Sequence, residues 1–104
     1  AEALFKSGKQ QEAYDQLNKV RSRAKVASKP LSTDEEIFMT DLMQERRWEL
    51  NFEPNLWFHY TRTGRAAKFL QDEYGISFNV AWNKFPVPQS ERDLNPKLCQ
   101  NNGY

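Results

Sequence analysis

The stretch of sequence that decides the fold is Glu45-Arg46-Arg47-Trp48-Glu49-Leu50-Asn51-Phe52-Glu53. Within it, Arg46, Glu49 and Glu53 follow one another at steps of three and four residues, so they share one face of a helix. That face continues an apolar stripe that includes Leu42. Charged side chains therefore interrupt a line of residues that otherwise points toward a core.

Three interpretations of this charged face are open. It is a solvated row of ion pairs worth about 0.2–0.5 kcal/mol each, a partly buried Arg–Glu network, or a catalytic carboxylate pair. The catalytic interpretation is the weakest, because nothing marks which carboxylate would stay protonated for acid–base work. A buried network fixes how elements dock more than it adds stability, and it predicts that Arg46, Glu49 and Glu53 are mostly buried and bond to the tail or the first helices. The residues assigned to this structural charge network are Glu45, Arg46, Arg47, Glu49, Glu53 and Arg62.

Length and composition bound the remaining possibilities. The chain has 104 residues, of which 38% are hydrophobic, enough for one domain's core. Fifteen basic and 14 acidic residues give a net charge of +1, so the basic excess of a nucleic-acid-binding domain is missing. No apolar run approaches the roughly 20 residues of a membrane span. The single cysteine excludes an internal disulfide framework and a Cys-based zinc site, and no motif indicates a cofactor or another metal.

Residues 1–27 are predicted to form a helical hairpin. Gly8 allows the left-handed conformation that closes the first helix, and the second begins near residue 10. The spacing of Gly8, Ala13, Leu17 and Val20 is similar to the later part of a tetratricopeptide repeat, in which small residues let two helices approach closely. Such a hairpin needs a neighbouring surface to cover its apolar face.

Three further helices are predicted over 34–51, 56–63 and 65–73. Thr33 and Glu36 have the spacing of a capping box for the first of these. The alternation in residues 78–82 favours a strand, although the segment is short.

The prolines near the C-terminus require residues 85–88 to be extended. Residues 90–93 are predicted to form a helical turn, and Asn95-Pro96 starts another turn. The aromatic and proline residues of this tail indicate that it packs against the helices.

Several motifs in this order resemble the C-terminal region of the SusD/RagB family. The motifs in the helical part are Glu45-Arg46-Arg47-Trp48-Glu49-Leu50, Phe52-Glu53, Trp57-Phe58 and Arg62-Thr63-Gly64-Arg65-Ala66. Those in the tail are Phe85-Pro86-Val87-Pro88-Gln89-Ser90-Glu91, Asp93-Leu94-Asn95-Pro96 and Gln100-Asn101-Asn102-Gly103-Tyr104. Their order and spacing cover nearly the whole chain.

The resemblance implies an all-α fold of the alpha-alpha superhelix type. Residues 1–27 would be the last tetratricopeptide-like helical hairpin, truncated at its start. Residues 28–104 would be the C-terminal segment, with its helices and an irregular, proline-rich, packed tail. The two parts are expected to form one structural unit, a fragment of a larger protein.

The resemblance also implies a function. Members are carbohydrate-binding lipoproteins of the outer membrane, anchored at the cell surface by an N-terminal lipid that lies outside these residues. They capture glycans, or in some members peptides, for nutrient uptake through a SusC-like TonB-dependent transporter. The expected protein is therefore a binding protein without covalent chemistry, not an enzyme, and it binds no nucleic acid.

Sugar binding requires aromatic faces for stacking and amide or charged side chains for the hydroxyls. Trp82 with Asn79 and Asn83 is the cluster with that composition in a predicted loop, and these three are the candidate glycan-binding residues. The alternative is that Trp82 only anchors the tail. His59 with Cys99 lacks the local motif of a thiol nucleophile and its base.

A second function class stays open from the residues alone. A tetratricopeptide-type module for protein–protein interaction would hold a peptide on its helical face, in a groove between the first two helices, and would bind no sugar.

Overall fold

The computed structural model describes residues 1–104 and contains helices but no β-strand, which confirms the all-α fold class. The elements, in chain order, are α1 (Glu2–Lys6), α2 (Gln10–Arg23), α3 (Glu35–Glu49), α4 (Asn55–Arg62), α5 (Ala66–Tyr74), a 3-10 helix (Val80–Asn83) and α6 (Gln89–Leu94). The chain divides into two compact units, Ala1–Leu56 and Trp57–Tyr104. No helix is both long enough and apolar enough to cross a membrane.

The core of the first unit is an aromatic cluster shared by α1, α2 and α3. The ring of Phe5 stacks on that of Phe38 at 4.1 Å, and Tyr14 meets Phe38 edge-on at 5.2 Å. Met39 lies fully buried beside them. Burial raises the pKa of Tyr14 above its ordinary 10.0, and the negative charge of Asp41 adds to the rise. One large ring from each of the three helices thus fills the core between the hairpin and α3.

The hairpin turn follows the predicted use of Gly8. This residue has φ +83°, and its N–H bonds the carbonyl of Phe5 while the N–H of Lys9 bonds that of Leu4, the two bonds of a Schellman motif. The end of α2 has the same pair of bonds, with Lys25 at φ +57° in the glycine position. A lysine there gives no sequence signal, so this turn could not be predicted.

The predicted capping box of α3 is wrong by one residue. Asp34, rather than Thr33, is the N-cap, and its carboxylate accepts the N–H groups of Glu36 at 2.7 Å and Ile37 at 3.2 Å. An anionic acceptor gains more than a hydroxyl from the positive end of a helix, so the aspartate takes the position. The helix ends at Glu49, two residues before the predicted end.

Aromatic contacts also organise the second unit. Tyr60 of α4 stacks on Phe69 of α5 at 4.0 Å, and Trp57 lies 6.3 Å from Phe78. Helix α5 ends at Tyr74, one residue after the predicted end, and Gly75 caps it in the left-handed conformation. Each helix in this unit is short, so ring contacts between helices and the following chain replace the longer apolar stripes of the first unit.

The strand predicted over residues 78–82 is wrong. The chain instead forms the 3-10 helix Val80–Asn83, because the side chain of Asn79 accepts the N–H of Ala81 at 2.9 Å and starts a turn. No second strand is present to form hydrogen bonds with an extended segment here.

The tail beyond the 3-10 helix follows its predictions more closely. A helical turn forms where residues 90–93 predicted one, as the six-residue α6. The N–H of Leu98 bonds the carbonyl of Asn95 at 2.9 Å, which gives the second predicted turn. The ring of Phe85 meets that of Phe58 on α4 at 6.4 Å, so the tail does pack on a helix.

Candidate functional site

A polar cleft lies between the 3-10 helix and the last residues of the chain. It encloses about 610 Å³, within the range of small-ligand sites. Its polar lining consists of Asn79, Asn83, Lys84, Gln100, Asn101 and Asn102. Five of these six side chains end in a carboxamide, which both donates and accepts hydrogen bonds.

The C-terminal residues are held in place by a group of hydrogen bonds that we call the clasp. The side chain of Gln100 accepts the N–H of Val87 at 2.7 Å and donates to the carbonyl of Val87 at 3.1 Å. Asn101 donates to the carbonyl of Phe85 at 2.6 Å, and the hydroxyl of Tyr104 donates to that of Lys84 at 2.9 Å. The clasp therefore fastens the end of the chain to the extended segment 84–87. Prolines keep this segment out of a helix, so its backbone groups are available for these bonds.

A close backbone approach completes the wall of the cleft. Gly103 has φ +96°, and a Cβ added there would stand 2.4 Å from the Cβ of Ala81. Only glycine fits this position, on both conformational and steric grounds. The Gly-Tyr ending thus seats the tail against the 3-10 helix.

Two of the three predicted glycan-binding residues meet in this cleft. Asn79 and Asn83 line it, and Asn79 also caps the 3-10 helix. Trp82 is 38% exposed and packs edge-on against Phe78 at 6.1 Å, outside the lining. Sequence reasoning missed the contribution of residues 100–102, whose run of three amides was the available signal.

Two of the lining amides have no protein partner. The side chains of Asn83 and Asn102 make no hydrogen bond, whereas those of Gln100 and Asn101 are engaged in the clasp. The cleft can therefore offer two complete carboxamides to a ligand without breaking an existing bond. Such groups suit the hydroxyls of a sugar, which also donate and accept.

The charged face of α3 has a different centre from the one predicted. Glu45 pairs with Arg21 of α2 at 2.5 Å, and each of these side chains is only 7% exposed. Arg21 also donates to the carbonyl of Ala27 at 2.7 Å and lies 5.9 Å from the centre of the Trp48 ring. This buried pair ties α2, α3 and the segment between them together.

The remaining network residues lie nearer the surface. Arg46 is half-buried, whereas Glu49 and Glu53 are exposed, so the expectation that all three are mostly buried is wrong. Glu49 does bond the hairpin, through Arg23 of α2. Arg47 is half-buried on the same helix, and Arg62, at the end of α4, is exposed. Glu45 lies on the buried side of α3 with Leu42 and Met43, where it meets Arg21 of α2.

The buried arginine was also missed, although its position carried a signal. Arg21 follows buried Leu17 by four residues and therefore belongs to the apolar face of α2. A charged residue on such a face calls for an opposite charge on the facing helix.

An apolar groove lies between α2 and α3 in the first unit, whereas the alternative predicted from the sequence placed a peptide groove between the first two helices. It encloses about 350 Å³, and its apolar lining includes Leu17, Val20, Leu42 and Leu50. Its polar lining consists of Gln16, Glu45, Arg46 and Glu49.

The candidates for other chemistry have ordinary surroundings. Cys99 is exposed, and His59 is half-buried on α4. Asp93 and Asn95 have only the start of a calcium-loop spacing. Asp93 accepts from Gln89 at 2.7 Å within α6, and Asn95 accepts the N–H of Lys97 at 3.2 Å, so both make local bonds. No group of three His, Cys, Asp or Glu side chains is placed to hold a metal ion.

The whole sequence was compared with protein families, curated proteins and solved structures. The model of the SusD family, SusD_RagB, matches residues 1–104, the whole chain. No curated protein and no solved structure has a significant match to the chain. The matched family consists of binding proteins rather than enzymes, and the match indicates a glycan-binding protein associated with the cell surface.

Proposed function

Since the chain belongs to the SusD family, we propose that it is part of a lipoprotein that captures glycans as nutrients at the surface of the outer membrane. Its partner is a SusC-like TonB-dependent transporter, through which the captured glycan is imported. A lipid attached N-terminal to Ala1 anchors the protein.

One observation carries this proposal: the family model covers all 104 residues, including both the helical part and the irregular tail. The mechanism is binding without covalent chemistry. Hydroxyl groups of the glycan bond to amides, an exposed aromatic ring stacks on a sugar face, and the glycan is then handed to the transporter.

Within this chain, the cleft beside the 3-10 helix is the proposed point of glycan contact. Asn83 contributes an unengaged carboxamide, and Asn79 lies at the start of the same helix. Trp82, partly exposed on that helix, is the proposed stacking surface. Asn79 and Asn83 line the cleft, whereas Trp82 lies outside its lining, so stacking on Trp82 would extend the glycan contact beyond the cleft.

The organisation of the chain follows from the same proposal. Residues 1–27 are the last tetratricopeptide-like hairpin, and residues 28–104 are the C-terminal segment. The charge network fixes the docking of α3 on α2, with Glu45 and Arg21 as its buried centre. The proposed role of the network is thus structural.

The test uses the full-length parent protein. We expect it to bind oligosaccharides in isothermal titration calorimetry and to co-purify with a TonB-dependent transporter from outer membranes. Asn83→Ala should weaken binding, while Asn18→Ala, in the first unit, should leave it unchanged. Absence of both glycan binding and transporter co-purification would refute the proposal.

The groove between α2 and α3 favours a second candidate function. Its lining combines apolar and charged side chains, the composition of a surface that holds an amphipathic peptide. A protein-interaction module of this kind would lose peptide capture on Val20→Glu but not on Lys19→Glu, which changes an exposed residue of the same helix. Peptide capture without any sugar binding would favour this candidate over the first.

A further inference from the structure

The cleft has a one-sided charge. Its lining includes Lys84 and no Asp or Glu. The unit that holds it, residues 57–104, has six Lys and Arg against four Asp and Glu, a net charge of +2, whereas residues 1–56 have nine against ten. A ligand that enters this cleft therefore meets an excess of positive charge.

The backbone of Lys84 is fixed on both sides. Its N–H bonds the carbonyl of Ala81 at 3.0 Å, and its own carbonyl accepts from Tyr104 at 2.9 Å. These bonds hold the lysine at the cleft through its main chain. Changing its side chain removes the charge without removing a bond of the clasp.

The side chain of Lys84 is exposed and has no hydrogen-bond or ion-pair partner within the protein. In the same unit, Lys68 is paired with Asp72 at 2.5 Å. Lys84 is therefore a cation beside two unengaged carboxamides, those of Asn83 and Asn102.

We propose that this cleft binds an acidic saccharide, one whose sugar carries a carboxylate or a sulfate. Lys84 pairs with the anionic group, while Asn83 and Asn102 bond neighbouring hydroxyls. The inference rests on the proposed glycan binding and adds the class of glycan. The missing carboxylates matter as much as the lysine, since an acidic side chain in the lining would repel such a ligand.

The probes are tetragalacturonate, its methyl ester and a sulfated galactan tetrasaccharide. The ester keeps the sugar skeleton and removes the charge. Binding to the full protein is followed by calorimetry and by the side-chain amide NMR signals of Asn83 and Asn102. We expect at least one acidic probe to bind about 1.5- to 5-fold more tightly than the ester, as for a solvent-accessible charge pair.

Two lysine variants separate a local contact from a general attraction. Lys84→Gln should reduce the preference for the acidic probe to about onefold, while Lys97→Gln, an exposed lysine outside the lining, should keep it. The preference should also weaken with added salt. Preference for galacturonate or for the sulfated probe identifies which anionic group is recognised.

Several outcomes overturn the inference. Equal binding of acid and ester at the cleft overturns it while leaving glycan binding intact. Equal loss in both lysine variants overturns it as well, because the attraction would then be diffuse. Acidic probes that bind the protein without shifting the Asn83 and Asn102 signals place the site elsewhere. If no saccharide of any charge binds the protein, the proposed function itself fails.

Discussion

The substitution Gly103→Ala tests whether the close approach of the tail to the 3-10 helix builds the cleft. The added Cβ would stand 2.4 Å from the Cβ of Ala81, whereas carbon atoms in contact prefer about 3.5–4.0 Å. One side must therefore move by about 1 Å. The glycine also has φ +96°, a conformation that alanine adopts with strain.

The two penalties can be compared with the bonds that oppose them. A left-handed conformation costs a non-glycine residue about 1–2 kcal/mol, and overpacking typically costs about 1–3 kcal/mol. The clasp has four hydrogen bonds, each worth about 0.5–1.5 kcal/mol. The penalties are of the same size as the clasp, so Gly103→Ala should open it for a substantial fraction of the time.

Hydrogen exchange of the Val87 N–H, which bonds Gln100, measures that opening. We expect Gly103→Ala to speed its exchange by about 30-fold or more, since each 1.4 kcal/mol corresponds to a factor of ten. Adding Ala81→Gly removes the clash but not the strained φ, and should restore part of the protection. Ala81→Gly alone should change exchange by only a few-fold.

A second glycine supplies the control for strain without clash. Gly8 has φ +83°, and an added Cβ there meets nothing within 4 Å. Gly8→Ala should therefore speed exchange of the Lys9 N–H, which bonds Leu4, by the strain term alone. If Gly103→Ala speeds exchange no more than Gly8→Ala does, or if Ala81→Gly restores nothing, the steric argument is refuted.

Three predictions concern the first unit and use denaturant unfolding. Glu45→Ala should lower the free energy of unfolding by about 3–5 kcal/mol, because it leaves Arg21 buried without a counter-charge. Glu49→Ala should lower it by about 1 kcal/mol or less. Similar losses in the two variants would contradict the burial of the Arg21–Glu45 pair. Burial raises the pKa of Tyr14 above 10.0, so the folded chain holds that proton more tightly and stability should fall as the pH rises past 10; Tyr14→Phe should flatten this part of the curve, and an unchanged slope would refute it. Asp34→Ala should cost about 1 kcal/mol as a lost N-cap, and no change in helicity or stability would contradict the cap.

The sequence predicts well where one strong local signal acts. Gly8 ends α1 with the expected left-handed conformation, and apolar spacing in α2 places Leu17 in the core. It predicts poorly where two weak signals compete. Alternation over residues 78–82 favoured a strand, but the side chain of Asn79 supplies a local bond that starts a 3-10 helix instead.

The charged face of α3 shows a different limit. Helical periodicity shows which residues share a face, but it does not show which of them are buried by the facing helix. Glu45 and Glu49 are one helical turn apart, yet Glu45 is buried and Glu49 is exposed. The facing helix decides between them, because only Glu45 meets an arginine inside the core.

The amide-rich ending of the chain combines two roles that its residues keep separate. Gln100 and Asn101 use their carboxamides to hold segment 84–87, whereas Asn102 and Asn83 keep theirs unengaged. Changes to the first pair should therefore act on the folding of the tail, and on ligand binding only through it. If the proposed glycan binding is right, changes to the second pair should act on binding while the clasp stays closed. Hydrogen exchange of the Val87 N–H reports only on the clasp. A variant that loses ligand affinity while Val87 exchanges at the wild-type rate therefore has a defect in recognition and not in the structure of the tail.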